Sequence, residues 1–222
     1  VYRQMYSTDG SIYSMTPIGV TLPKTPDDVS AIIDICNKNN TAILPRGGGT
    51  SLSGQTVNSA VIIDFSKYMH NVLEINPEEK YVITEPGITI DNLNQRLKNT
   101  NLHFTPDPST KSRANVGGAM GNNSCGSHSV IYGKTVDQVR EMEVILSDSS
   151  KAYFEELSGK RLEDKISLDN LEGKIYRDVM SMSSKYYDEI NAKYSKVNRR
   201  VGGYNLDLVH PNSNKLNLVN IM

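Results

Sequence analysis

Pro45-Arg46-Gly47-Gly48-Gly49-Thr50-Ser51-Leu52-Ser53-Gly54-Gln55 is the stretch on which the reading of this chain turns. A short apolar run, Thr41 to Pro45, leads through Arg46 into three glycines, which let the backbone bend through positive φ and approach a neighbour closely. Gly48, in the middle, is expected to take such a φ. Successive N–H groups in a bend of this kind form a concave anion nest suited to a pyrophosphate, and Thr50 and Ser51 add hydroxyl donors. Taken alone, the stretch reads equally as a tight surface turn. It is not a Walker A loop, because no Lys-Ser/Thr pair follows at the required spacing. Nor is it a Gly-x-Gly-x-x-Gly fingerprint opening a helix, since Gly54 falls in polar loop sequence.

A second loop shifts the balance. Pro106-Asp107-Pro108-Ser109-Thr110 leads to Asn115-Val116-Gly117-Gly118-Ala119-Met120-Gly121, then Asn122-Asn123-Ser124-Cys125-Gly126-Ser127-His128-Ser129. So many small and amide side chains do not build a hydrophobic core; they suit backbone wrapped around an extended ligand carrying phosphates and hydrogen-bonding rings. The whole of 106–133 is expected to be loop.

Around these loops the elements are legible. Thr25 caps a helix with Pro26 in its first turn, Asp27 and Asp28 at its positive end, and a stripe of Val29, Ile32, Ile33 and Cys36. Val61 to Phe65 reads as a strand, Val72–Ile75 and Tyr81–Glu85 as a hairpin, and Thr89 as the cap of a helix carrying Ile90, Leu93 and Leu97. Strands from Val139 to Leu146 and Ala152 to Phe154 join at Asp148-Ser149-Ser150. Residues 156–200 are charged, with a helical stripe of Ile175, Val179, Met182 and Tyr186. Without strict alternation of strand and helix, the fold class is α+β.

With 24 basic against 25 acidic side chains the net charge is −1, which gives no field for nucleic acid or an anionic membrane. No apolar run reaches the ~18 residues of a membrane helix. Two cysteines, Cys36 and Cys125, are too few for an iron–sulfur cluster, which takes about four thiolates. They fit a reduced interior, and a cytoplasmic location is expected. His70, His103, His128 and His210 are scattered, with no pair at metal-ligand spacing, so no metal site is expected. Arg199-Arg200 reads as a solvated basic pair. Val1 at the start and the apolar ending Leu216–Met222 read as a piece cut from a longer chain.

The two loops, with Tyr132-Gly133-Lys134-Thr135-Val136-Asp137 and Arg200-Val201-Gly202-Gly203-Tyr204-Asn205-Leu206-Asp207, resemble the PCMH-type FAD-binding domain of the vanillyl-alcohol oxidase superfamily. Within it they are similar to the glycolate oxidase large subunit, D-lactate dehydrogenase and D-2-hydroxyglutarate dehydrogenase branch. The resemblance implies a two-lobed, C-terminally truncated FAD-binding domain over 1–222, with lobe one about 1–85, lobe two about 86–222 and a variable helical segment at about 156–196. It implies that Arg46, Gly47, Gly48, Gly49, Thr50, Ser51 and Leu52 hold the FAD pyrophosphate, with Leu52, Ser53, Gly54 and Gln55 and the stretch from Asn122 to Ser127 on the flavin side. Pro106, Asp107, Ser109, Gly117, Gly118, Gly121, Asn122, Asn123, Ser124, Gly126 and Ser127 wrap the rest.

Gly49-Thr50-Ser51 stands where some relatives carry a flavin-linking His, so FAD is expected to be non-covalent. The implied enzyme is an FAD-dependent oxidoreductase that moves hydride from the α-carbon of a 2-hydroxy acid to flavin N5. Its substrate would bind through a cap domain with its own His and Arg residues, absent here, so the fragment alone is expected to be inactive. An iron–sulfur cluster would sit downstream or on an electron-accepting partner, which could also tether the protein peripherally to the inner membrane face. The rival readings are a non-catalytic FAD or nucleotide-binding electron-transfer module and a UDP-N-acetylenolpyruvoylglucosamine reductase-like enzyme.

Overall fold

The structure is a computed structural model that describes residues 1–211 and 213–221, so Met222, the end of the expected apolar terminus, lies outside the described residues. After a single helical turn, α1 (Tyr2–Met5), the chain runs through β1 (Gly19–Thr21), α2 (Pro26–Lys38), β2 (Ile43–Arg46) and β3 (Val61–Asp64). The three strands form a parallel sheet in the order β1-β3-β2, with Ile62 opposite both Val20 and Leu44. The central position explains β3: Ile62 and Ile63 are both fully buried, as an unbroken apolar run in a parallel sheet requires. β1 carries no such run and was not legible as a strand; it forms because β3 offers it an edge.

Helix α2 covers this sheet, packing Val29 and Ile33 against Ile63 and Met69. Its start is a capping box: Thr25 Oγ1 accepts from the Asp28 amide at 3.2 Å, and Asp28 Oδ2 accepts from the Thr25 amide at 3.0 Å. Thr25→Ala is expected to cost about 1 kcal/mol, which urea unfolding would register as a lower midpoint at unchanged slope.

The hairpin β4 (Val72–Asn76) and β5 (Tyr81–Thr84) pairs antiparallel around the expected turn. α3 (Ile90–Leu97) is capped by Thr89 and buries Ile90, Leu93 and Leu97. These form a second core with Ile88, Val116 and Ala119, onto which Val72, Ile75 and Val82 of the hairpin pack. The 106–133 segment is not loop throughout. It contains α4 (Val116–Gly121) and the turn α5 (Ser129–Tyr132). Helix propensity is poor across Val-Gly-Gly-Ala-Met-Gly, but burial of Val116 and Ala119 and hydrogen bonds from the Val116 and Gly117 amides to Ile88 O and Pro86 O, both 2.9 Å, override it.

β6 (Met142–Ile145) and β7 (Lys151–Phe154) form an antiparallel pair. β8 (Glu156–Ser158) follows, then α6 (Gly159–Ser167), α7 (Leu171–Lys185), α8 (Tyr187–Lys193), and β9 (Lys215–Asn217), which pairs antiparallel with β8. A third core joins Phe154, Leu157, Tyr176, Val179, Leu216 and Val219. The inward face of α7 is Glu172, Tyr176, Val179 and Ser183; of the expected stripe Val179 is buried and Ile175 packs against the same core, whereas Met182 and Tyr186 are 42% and 44% exposed. An apolar-only reading places the face only in part because two of its members are polar and satisfied: Glu172 pairs with Lys165, and Ser183 Oγ donates to Val209 O. Tyr176 fills the centre, edge-on to Phe154 at 6.2 Å. A parallel sheet beside separate antiparallel pairs and segregated helices makes the molecule α+β.

Candidate cofactor-binding site

The glycine loop leaves the carboxyl end of β2, the side of an open parallel sheet where ligands bind. Its three glycines do different things. Gly49 has φ +63°, and a Cβ there would lie 2.6 Å from Arg46 Nη2. Gly48 does not take the expected positive φ. It is required instead by close approach, since a Cβ would fall 2.0 Å from the carbonyl oxygen of Arg113. A Cβ on Gly47 would lie 2.6 Å from Asn115 Oδ1. The first loop therefore packs directly on the second, glycine backbone against the Arg113–Asn115 backbone and amide.

Beyond the glycines, Thr50 and Ser51 are half-buried and Leu52 projects at 80% exposure. Ser51 Oγ donates to Gln55 Oε1, which also accepts from the Ser53 amide at 3.2 Å. Gly54, at φ +77°, lies over the Tyr13 ring.

In the second loop Pro106 is buried and Ser109 is exposed. Asp107 is a clamp: its carboxylate accepts from His128 Nδ1 at 2.5 Å, the His128 amide at 3.1 Å and Ser127 Oγ at 3.2 Å. Gly126 lies so close that a Cβ would sit 2.2 Å from Asp107 Oδ1. Burial works to raise the Asp107 pKa, but the hydrogen bonds from His128 and Ser127 outweigh it and hold the carboxyl below its usual value. A lowered folded pKa stabilises above the unfolded value and is lost as pH falls through the folded one. The clamp thus contributes fully above about pH 4. Asp107→Asn should destabilise at neutral pH and flatten the fall in stability below pH 4, read from urea unfolding across pH 2.5–7.

Asn123, with φ 45°, is buried and takes the Val136 amide on Oδ1 at 3.0 Å, while the Ser124 carbonyl accepts from both Thr135 N and Oγ1. These fix the turn after α4. Gly118, Gly121 and Asn122 are exposed, and a Cβ on either glycine would meet nothing within 4 Å. So α4, which starts directly after Asn115 at the junction of the two loops, turns Val116 and Ala119 inward and leaves Gly118 and Gly121 open on its outer side. Neutral hydroxyl, amide and backbone donors next to a side-chain-free surface fit a dinucleotide that needs close approach more than charge pairing.

Sequence reasoning missed Arg113 and Asn115 as the seat of the first loop; the capping position of Asn115 before Val116-Gly117-Gly118 was the available signal. It also placed Arg200 in solvent. That guanidinium is mostly buried, paired with Asp207 at 2.5 and 3.0 Å, bonded to Asn205 at 2.9 Å and stacked on Tyr194, while Arg199 Nη2 reaches Cys125 Sγ at 3.4 Å. Two surface concavities, one by Leu22, Asp28 and Ile35 and one by His70, Asn92 and Arg96, share no residue with either glycine loop. Among the described residues no group of three or more His, Cys, Asp and Glu could hold a metal ion, and no helix is long and apolar enough to cross a membrane.

A parallel sheet delivering one glycine loop onto a second defines a nucleotide-cofactor-binding module. The chain belongs to the FAD binding domain family, whose model matches residues 17–151. It is 34% identical over 207 residues to D-2-hydroxyglutarate dehydrogenase of Pantoea ananatis, covering 92% of this chain and 20% of that protein. The corresponding Escherichia coli K12 protein is 35% identical over the same shares. Glycolate oxidase subunit GlcD of Bacillus subtilis is 33% identical over 66% of this chain and 32% of its own length. Alkyldihydroxyacetonephosphate synthase matches the fold with TM-score 0.55 at 24% identity, covering 60% of this chain and 25% of that one. The chain thus spans about a fifth of the dehydrogenases it matches.

Proposed function

We propose that this chain is the FAD-binding part of a flavin-dependent 2-hydroxy-acid dehydrogenase of the glycolate, D-lactate or D-2-hydroxyglutarate type. The observation that carries the reading is the bare outer side of α4, which starts at the packed junction of two glycine loops, in a chain matched over 92% of its length by D-2-hydroxyglutarate dehydrogenase. The backbone from Gly47 to Leu52 holds the pyrophosphate, with the hydroxyls of Thr50 and Ser51 as added donors. Gly117, Gly118, Gly121, Asn122, Ser124 and Ser127 line the remainder, and Pro106, Asp107, Gly126 and Asn123 keep that lining in shape. Gly54 and Gln55 fix the far end of the first loop. FAD, held non-covalently, supplies the hydride-accepting chemistry; this chain supplies binding and orientation.

Residues 1–85 and 86–222 are the two lobes about the cofactor, the 156–196 helices being the variable part. The hydroxy acid is gripped by a cap domain beyond this chain, and electrons pass to a separate acceptor, such as an iron–sulfur protein, in the cytoplasm or at the inner membrane face.

Titration of FAD into the full-length protein tests this, with FMN, ATP and NAD as controls. Quenching of flavin fluorescence that saturates for FAD alone, with a rise in Tm from preferential binding to the native state, is expected. Equal responses to ATP or NAD would sink the assignment.

A further inference from the structure

The charged end of Arg46 does not face the open side of the glycine loop. Nη1 donates to the carbonyls of Thr56 at 2.9 Å and Tyr6 at 3.3 Å, and Nη2 to that of Thr8 at 2.8 Å. The guanidinium stacks 5.2 Å from the Tyr6 ring and lies directly under Gly49.

The segment these bonds reach is itself tied down along its length. Tyr6 Oη donates at 2.6 Å to Asp64 Oδ2. Asp64 is buried, sits opposite Arg46 in the sheet, and also takes the Ser66 amide at 2.7 Å. Burial, reinforced by the hydrogen bond to Asp64, pushes the Tyr6 phenol far above its ordinary pKa, so it stays a donor. Asp9 Oδ2 accepts from Thr56 Oγ1 at 2.8 Å, and the Gly10 amide donates to Gly49 O at 2.9 Å. Tyr6, Thr8, Asp9 and Gly10 all precede residue 17, where the family match begins, whereas the groups that anchor them lie within it.

We propose that residues 6–10 are a strap that holds the glycine loop in its ligand-binding shape, with Arg46 a positioning residue acting through the strap and not a contact to the pyrophosphate. The inference rests on the assignment of that loop to FAD. Its chemistry is specific to arginine: one planar fork spans three carbonyls, which the single ammonium of lysine cannot do. It also accounts for a cation beside an anion-binding loop that spends its donors on main-chain oxygens.

A thermodynamic cycle in the full-length protein tests it. FAD dissociation constants are measured for the parent, Arg46→Lys, a variant lacking residues 1–10, and the combination, with far-ultraviolet circular dichroism to confirm folding. Each single change is expected to weaken FAD about tenfold, and the combination no more than the deletion alone, because coupled groups are not additive. If the deletion does not fold, Asp9→Ala, which removes the Thr56 anchor, takes its place in the cycle. By reciprocity, saturating FAD should slow amide exchange at Gly10. Additive losses, or a lysine variant that binds like the parent, would assign Arg46 to the phosphate and overturn the strap. A deletion that binds FAD like the parent would also overturn it, leaving the cofactor assignment intact. A parent that binds no FAD overturns both.

Discussion

Gly118→Leu is expected to leave the melting temperature unchanged or slightly higher while weakening FAD binding roughly 100-fold. The two effects separate because of where the residue sits. Gly118 is exposed on α4, and a Cβ there meets no atom within 4 Å, so a side chain can leave the backbone without displacing a neighbour. Relief of glycine in a helix favours folding by up to about 1 kcal/mol. The leucine instead occupies the space over the bare face, and overpacking a ligand by about 2.7 kcal/mol is a hundredfold in affinity. Gly19, equally open at the start of β1, supplies the control: Gly19→Leu should leave FAD binding untouched. Fluorescence titration and thermal melts on the two variants decide the matter. If Gly118→Leu binds FAD like the parent, α4 does not face the cofactor.

Gly48→Ala should have the opposite signature, with affinity and stability falling together. Its methyl group would lie 2.0 Å from the Arg113 carbonyl oxygen, and backbone cannot swing aside as a flexible side chain would. Either the first loop lifts from the second or the Arg113–Asn115 segment shifts. Overpacking of this kind costs roughly 1–3 kcal/mol, a fall in Tm on the order of 5 °C for a chain of this size. A lifted loop no longer presents its amides in one concave arc, so FAD binding should fall at least tenfold. Retained Tm with lost binding would mean that Gly48 faces the ligand and not Arg113.

The contrast marks what can and cannot be seen in the residues alone. The glycine clusters announce that backbone must come close to something, but Gly48, Gly117 and Gly126 approach protein while Gly118 and Gly121 stand open. Composition is identical in the two cases; only the tertiary partner differs. Helix α2 was legible because its signals are local, a capping box and a stripe within one element. The hairpin was legible for the same reason. The strap was not, since Arg46 is spent on main-chain carbonyls, which every residue carries and no pattern flags. The inward face of α7 was legible only in part, at Ile175 and Val179, because Glu172 and Ser183 are buried through partners elsewhere in the chain.

The pairing of Ser158 with Lys215 has a consequence for changes of chain length. Strand partners lie about 5 Å apart, so the chain between them departs from and returns to nearly one point. Tyr176 and its neighbours must stay, because they roof Phe154 and Leu157. The outer portion around α8 reaches the second glycine loop past its end, where Arg199 Nη2 lies 3.4 Å from Cys125 Sγ. A change of length inside the excursion therefore leaves the β8–β9 closure where it is, and meets the second glycine loop through the Arg199 contact to Cys125.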